Sequence, residues 1–188
     1  MSTEGDPSAA FLGQVRDIYA RVAYSQKTHE KEADRLLSNR RRLKWTEIVL
    51  SALASCGTFA VVLGAKWGAI PAALASVVLL AIKLHSKDYD LGALAQRHAN
   101  AAVDLLEVRE KAISVLTDLC GNREVQMEHR TARDQLLGRL GEIYRAAPRT
   151  TTVGYRRAQK ALKVNEELFF TSDEIDALLP PHLRQGRS

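Results

Sequence analysis

Apolar residues are unevenly spread along this chain. Between Ile48 and Ile82 the single charged residue is Lys66, whereas the flanking segments hold nearly all the Lys, Arg, Asp and Glu. In the first segment Phe11, Val15, Ile18 and Val22 recur at steps of four, three and four, one apolar stripe of an α-helix. No Pro or Gly interrupts residues 14–56. A helix over Ala9–Leu43 is therefore expected to run straight on into the apolar block. Thr46 to Ala65 supplies a mostly apolar stretch that, at 1.5 Å per residue, spans about 30 Å, the thickness of a bilayer's hydrocarbon core. Glu47 lies at its edge, where its charge reaches headgroups or water. Lys66-Trp67-Gly68 reads as a tight turn. Ala69 to Leu84 forms a second apolar run, with Pro71 in its first turn, where a missing N–H costs little. That run is short for a bilayer, so it must borrow Trp67 to Ile70 or let Lys83 snorkel.

The rest of the chain also reads as helical. From Asp88 to Leu119, the positions Leu91, Leu94, His98, Ala102, Leu105, Ala112, Leu116 and Leu119 keep a near-heptad spacing, which predicts packing against partner helices. Gly121-Asn122 breaks the run. Arg123 to Ala147 predicts a further helix with Leu136, Leu137, Leu140, Ile143 and Tyr144 on its apolar side. Pro148 ends it, and Arg149 to Thr152 is a loop. Tyr155 to Leu168 predicts a short helix. Thr171-Ser-Asp-Glu174 fits a capping box ahead of Ile175 and Leu178, and Pro180-Pro181 stops that turn. Residues 1–8 are small and polar and are expected to fray. The fold class is all-α: a two-helix transmembrane hairpin with long cytoplasmic helices forming a helical bundle or coiled coil. Its parts are an N-terminal cytoplasmic helix (1–45), the hairpin (46–84, with spans 46–65 and 67–84) and a C-terminal cytoplasmic helical region (85–188).

Charge adds a direction. The net charge is +5, and much of the excess flanks the apolar block, as Arg40, Arg41, Arg42 and Lys44 before it and Lys83 and Lys87 after it. With Trp45 and Trp67 these residues are the expected membrane-interface anchors. By the positive-inside rule both ends face the cytoplasm and the Lys66 turn faces outward. Nucleic-acid binding is not expected, because aromatics are only 6% and do not interleave with the basic run. Cys56 and Cys120 show no metal or disulfide spacing. None of His29, His85, His98, His129 and His182 has a partner at ligand spacing, so no metal and no cofactor is expected. His98 alone falls on the apolar face of its helix, as a core or interface polar residue. No hydrolase elbow, P-loop or dinucleotide fingerprint occurs, and no residue is assigned a catalytic role.

Within the spans, Ser51, Ser55 and Thr58 share one face with Glu47, beside a row of small residues. Packing of the helices is the simpler reading of such stripes. As a functional reading, Ser51, Ser55 and Thr58 are candidates to line a water path in an oligomer. Gly57, Gly64 and Ala72 are candidates for close helix packing.

The order of parts carries a resemblance. A helical segment enters Arg40-Arg41-Arg42-Leu43-Lys44-Trp45, two spans follow around a short turn, and a long helix then bears Gln96-Arg97-His98-Ala99. The tail from Lys160 ends in Thr171-Ser-Asp-Glu-Ile-Asp-Ala-Leu-Leu-Pro180. This layout, from about Phe11 to Leu183, resembles the bacterial SLATT domains, two-transmembrane effectors associated with SMODS nucleotidyltransferases and SLOG sensors. The resemblance implies an effector of an anti-phage or conflict system in the bacterial inner membrane. Such an effector oligomerises and permeabilises the bilayer when a partner sensor or a nucleotide signal triggers it. It carries over no active-site residue. The alternatives are a non-catalytic membrane anchor or scaffold for a partner protein, and a soluble helical protein with a buried hairpin.

Overall fold

A computed structural model of the chain describes residues 7–88, 90–121, 125–168 and 170–178. Every regular element among them is helical: α1 (Pro7–Val62), α2 (Ala69–Asp88), α3 (Leu91–Gly121), α4 (Met127–Ala146), α5 (Thr152–Lys163) and α6 (Ser172–Leu178), with a 3₁₀ turn at Lys66–Gly68. The expected break at Asn122, the stop at Pro180-Pro181, residues 1–6 of the tail expected to fray and His182 lie outside the described residues, as do the side chains of Lys66, His85 and Lys87, whereas residues 7 and 8 of that tail belong to α1.

The absence of Gly and Pro between Gly13 and Gly57 lets α1 run unbroken for 56 residues. Its N-terminal stripe is the core of a helical body. Val15, Ile18 and Val22 are fully buried against Leu105, Val108 and Ala112 of α3 and, with Phe11, near Leu136, Leu140 and Ile143 of α4. Fully burying one such side chain stabilises by about 1.5–3 kcal/mol. α5 packs on α1 farther along, and α2 packs on its C-terminal part.

Several boundaries differ from the sequence reading. α1 ends at Val62, short of Ala65, because Gly64 takes φ +90°, a conformation that costs Gly little. Asp88 belongs to α2, and the next helix starts at Leu91. There the Asp90 carboxylate accepts from the backbone N–H of Gly92 and of Ala93, each at 2.9 Å, an N-cap that fixes the start. The buried seam of α3 runs through Ala95, His98, Ala102, Leu105, Val108, Ala112, Val115 and Leu119. Leu94 lies off it and is exposed, and Leu91 is only half-buried. α5 begins earlier than expected, because Thr151 caps it by accepting from Gly154 N–H. It ends at Lys163, before the left-handed Glu166. The capping box at Thr171 and Glu174 forms: Thr171 N–H donates to the Glu174 carboxylate at 2.7 Å, and Glu174 N–H to Thr171 Oγ1 at 3.3 Å.

Candidate functional site

The core stripe of α1 does not stop at Val22. Steps of four and three carry it on through Gln26, His29, Ala33 and Leu36, and here the buried positions turn polar. Gln26, Lys27, Thr28, His29 and Glu32 are all buried, as is His98 on α3. Burying a polar group is costly unless it is paired, and each of these has a partner. Arg109 Nη1 donates to Gln26 Oε1 at 3.0 Å. Thr28 donates to the Tyr24 carbonyl at 2.7 Å. Lys27 pairs with Glu30 and Glu167, and Lys31 joins Glu167 at 2.9 Å.

Two partnerships tie other helices to α1. The first is Glu32, which accepts from Thr151 N–H at 2.9 Å, from the Thr151 hydroxyl, and from Arg35 at 2.9 Å. Burial alone would raise its carboxyl, but the Thr151 bonds and Arg35 outweigh that and hold it below its ordinary value. The start of α5 is thus clamped on a buried carboxylate. Gly154 makes room for it, since a Cβ there would lie 2.6 Å from Glu32 Cδ.

The second is a histidine pair. His29 and His98 meet with Nδ1 atoms 2.9 Å apart and ring centroids 5.0 Å apart. One Nδ1 donates and the other accepts, so the pair is satisfied while neutral. Burial, with His98 beside it, lowers His29 to about 4 against the opposing Glu32. Burial likewise lowers His98, with Glu32 opposing and Arg35 adding to the effect. The sequence shows His98 on an apolar face but gives no partner, because His29 lies 69 residues away. The regular continuation of the α1 stripe through His29 is the signal that could have found it.

Beside His29 lies an open cleft of about 440 Å³ whose lining includes Tyr24, Tyr144, Tyr155 and Arg149. Tyr24 and Tyr155 stack at 6.1 Å, and Ser25 shares a hydrogen bond with Tyr144 at 2.8 Å.

The other half of α1 has the opposite character. From Trp45 onward most of its large apolar side chains are exposed, with Leu53 56% and Phe59 64% accessible. α1 includes a stretch long and apolar enough to cross a membrane, and the apolar part of α2, Ala69–Leu84, is shorter. The two helices touch where side chains are smallest. A Cβ on Gly57 would stand 2.7 Å from the Gly68 carbonyl oxygen and 2.8 Å from Ala72 Cβ, so these backbones approach as only small residues allow. Gly64 is placed elsewhere, past the helix end with nothing within 4 Å of a Cβ, where it serves the turn. Ser51, Ser55 and Thr58 are exposed. Ser55 donates to the Ser51 carbonyl at 2.9 Å and Thr58 to the Ala54 carbonyl at 2.8 Å, so both hydroxyl protons are spent within the helix. Trp45 and Trp67 are exposed near the two ends of the apolar region. Arg40, Arg41, Arg42, Lys44 and Lys83 are all exposed, Arg40 with its guanidinium beside Gly92.

Residues 11–174 match the family model described as the SMODS and SLOG-associating 2TM effector domain family 4. No curated protein and no solved structure matches the chain.

Proposed function

The chain belongs to the SMODS and SLOG-associating 2TM effector domain family 4, and from that membership we propose that it is a non-catalytic membrane effector of a bacterial anti-phage or conflict system. It sits in the inner membrane as a two-helix hairpin of α1 and α2, with the body and both termini in the cytoplasm. The observation that carries this reading is the continuity of α1. One helix holds a buried, fully paired polar layer at one end and an exposed apolar surface at the other. A hydrocarbon environment makes that second surface favourable.

One hairpin encloses no aqueous path, and charge in lipid is costly. Permeabilisation therefore requires several copies that turn their polar stripes inward. Ser51, Ser55 and Thr58 are the proposed lining, and a partner sensor or nucleotide signal is the proposed trigger. Because α1 is shared, a change in how the body grips it is carried mechanically into the bilayer.

The test is leakage of a trapped dye from liposomes carrying the purified protein. Leakage is expected on activation and should fall when Ser51, Ser55 and Thr58 are all replaced by Leu. Undiminished leakage from a normally inserted triple variant would remove the lining assignment. A second reading, a membrane anchor for a partner protein, is favoured by the internal bonds of Ser55 and Thr58, which leave those hydroxyls no proton to donate to a water path. An anchor never becomes toxic in cells, even under conditions that trigger the partner system.

A further inference from the structure

The cleft beside His29 is built from residues that the membrane reading leaves unused. Three of the chain's five tyrosines border it. Tyr144 and Tyr155 are each about half exposed, at 46% and 49%, and Tyr155 stacks on Tyr24. Arg149 adds a guanidinium that no ion pair or hydrogen bond engages among the described residues. No Asp or Glu lines the cleft, so its local charge is positive. Its volume of about 440 Å³ falls in the ordinary range for small-molecule sites.

His29 closes one wall, and its two nitrogens face different ways. Nδ1 is bonded to His98. No buried side-chain nitrogen or oxygen lacks a partner among the described residues, and His29 borders the cleft. Its Nε2, which makes no hydrogen bond among the described residues, is therefore not fully buried, and the cleft is the open space beside the ring. The tautomer couples the two sides. A ligand acceptor at Nε2 requires the proton there, so that Nδ1 accepts from His98. A ligand donor at Nε2 reverses the direction of the His–His bond.

We infer that this cleft binds a small planar aromatic anion, its ring against the tyrosines and its charge on Arg149, and that the His29–His98 bond between α1 and α3 senses its occupancy. The regulatory consequence rests on the effector reading, since the helix that carries His29 continues into the proposed span. The binding itself does not.

The experiment uses the full chain in detergent micelles. Adenosine monophosphate and phenyl phosphate serve as planar anions, with adenosine and inorganic phosphate as the separated halves. Calorimetry should show saturable binding of at least one planar anion, with each half weaker by about tenfold or more. Arg149→Gln, in an exposed loop, should weaken binding by about tenfold, the loss of one charge-assisted contact. Tyr155→Ala should weaken it comparably, whereas Tyr155→Phe keeps the ring and should bind nearly as wild type. The imidazole NMR signals of His29 and His98 should move together on titration.

The inference is overturned if neither planar anion saturates at millimolar concentration, if Arg149→Gln binds unchanged, or if inorganic phosphate alone binds as tightly. Binding without leakage would sink the effector reading and leave the site. Leakage without binding would do the reverse.

Discussion

The two halves of α1 obey one rule from opposite directions. Before Trp45, polar side chains go inside, and each is matched by a partner from another helix or from its own. Glu32 meets Thr151, His29 meets His98, and Gln26 meets Arg109. Beyond Trp45, most large apolar side chains stay outside, and the Ser55 and Thr58 hydroxyls bond their own helix. Among the described residues no buried side-chain nitrogen or oxygen lacks a partner. On the proposed reading this helix serves two surroundings, a protein interior and a hydrocarbon one, and its body end combines polar pairing with apolar packing.

The contrast can be broken most severely by placing a charge in the exposed apolar half. Leu53→Arg should cost about 3 kcal/mol of membrane insertion and shift the protein out of the carbonate-resistant fraction. An unaffected fraction would mean that this surface does not face lipid. Next in size is the small-residue contact. Gly57→Val drives a side chain against the Gly68 carbonyl and Ala72 and should cost about 2 kcal/mol by overpacking, read as a lower unfolding midpoint in detergent.

Glu32→Ala probes the body end. It strands the Thr151 N–H and loosens α5, with an expected loss of about 2 kcal/mol and faster amide exchange confined to the start of α5. Exchange unchanged there would show that the clamp carries no stability.

Acid sharpens the comparison further, because His29, His98 and Glu32, whose titration is shifted, all lie in the body. His29 is lowered in the folded state from 6.5 to about 4. Its contribution is complete above pH 6.5 and is lost as pH falls toward 4, since the unfolded chain takes up the proton first. Glu32, also lowered, from 4.5, adds its loss only below pH 4.5. His98, lowered as well, adds to the earlier step. Replacing His29 and His98 together by Gln should flatten the melting temperature between pH 6.5 and 4.5 while leaving the later fall. The smallest effect is Ser55→Ala, within about 0.5 kcal/mol of wild type in stability, because only an internal back-bond is lost.

Periodicity and composition by themselves determined an all-helical chain, the continuity of α1, the apolar runs around the Lys66–Gly68 turn, and the capping box at Thr171. These are local properties: spacing of apolar residues, absence of Gly and Pro, and side chains that bond within four positions. Sequence also singled out Gly57 and Ala72 as small residues of the kind that permit close approach. It did not reveal that Gly64 would spend its freedom on a turn, because a glycine's φ depends on where the helix stops.

Tertiary structure alone decided the rest. The seam of α3 shifted toward Ala95, Val108 and Val115 because a helix turns its smallest and most apolar face to whatever it meets. The His29–His98 pair, the Glu32 clamp on α5 and the tyrosine-lined cleft join residues 69 to 119 positions apart. No short-range pattern encodes such distances, for they exist only once α3, α4 and α5 have packed around α1.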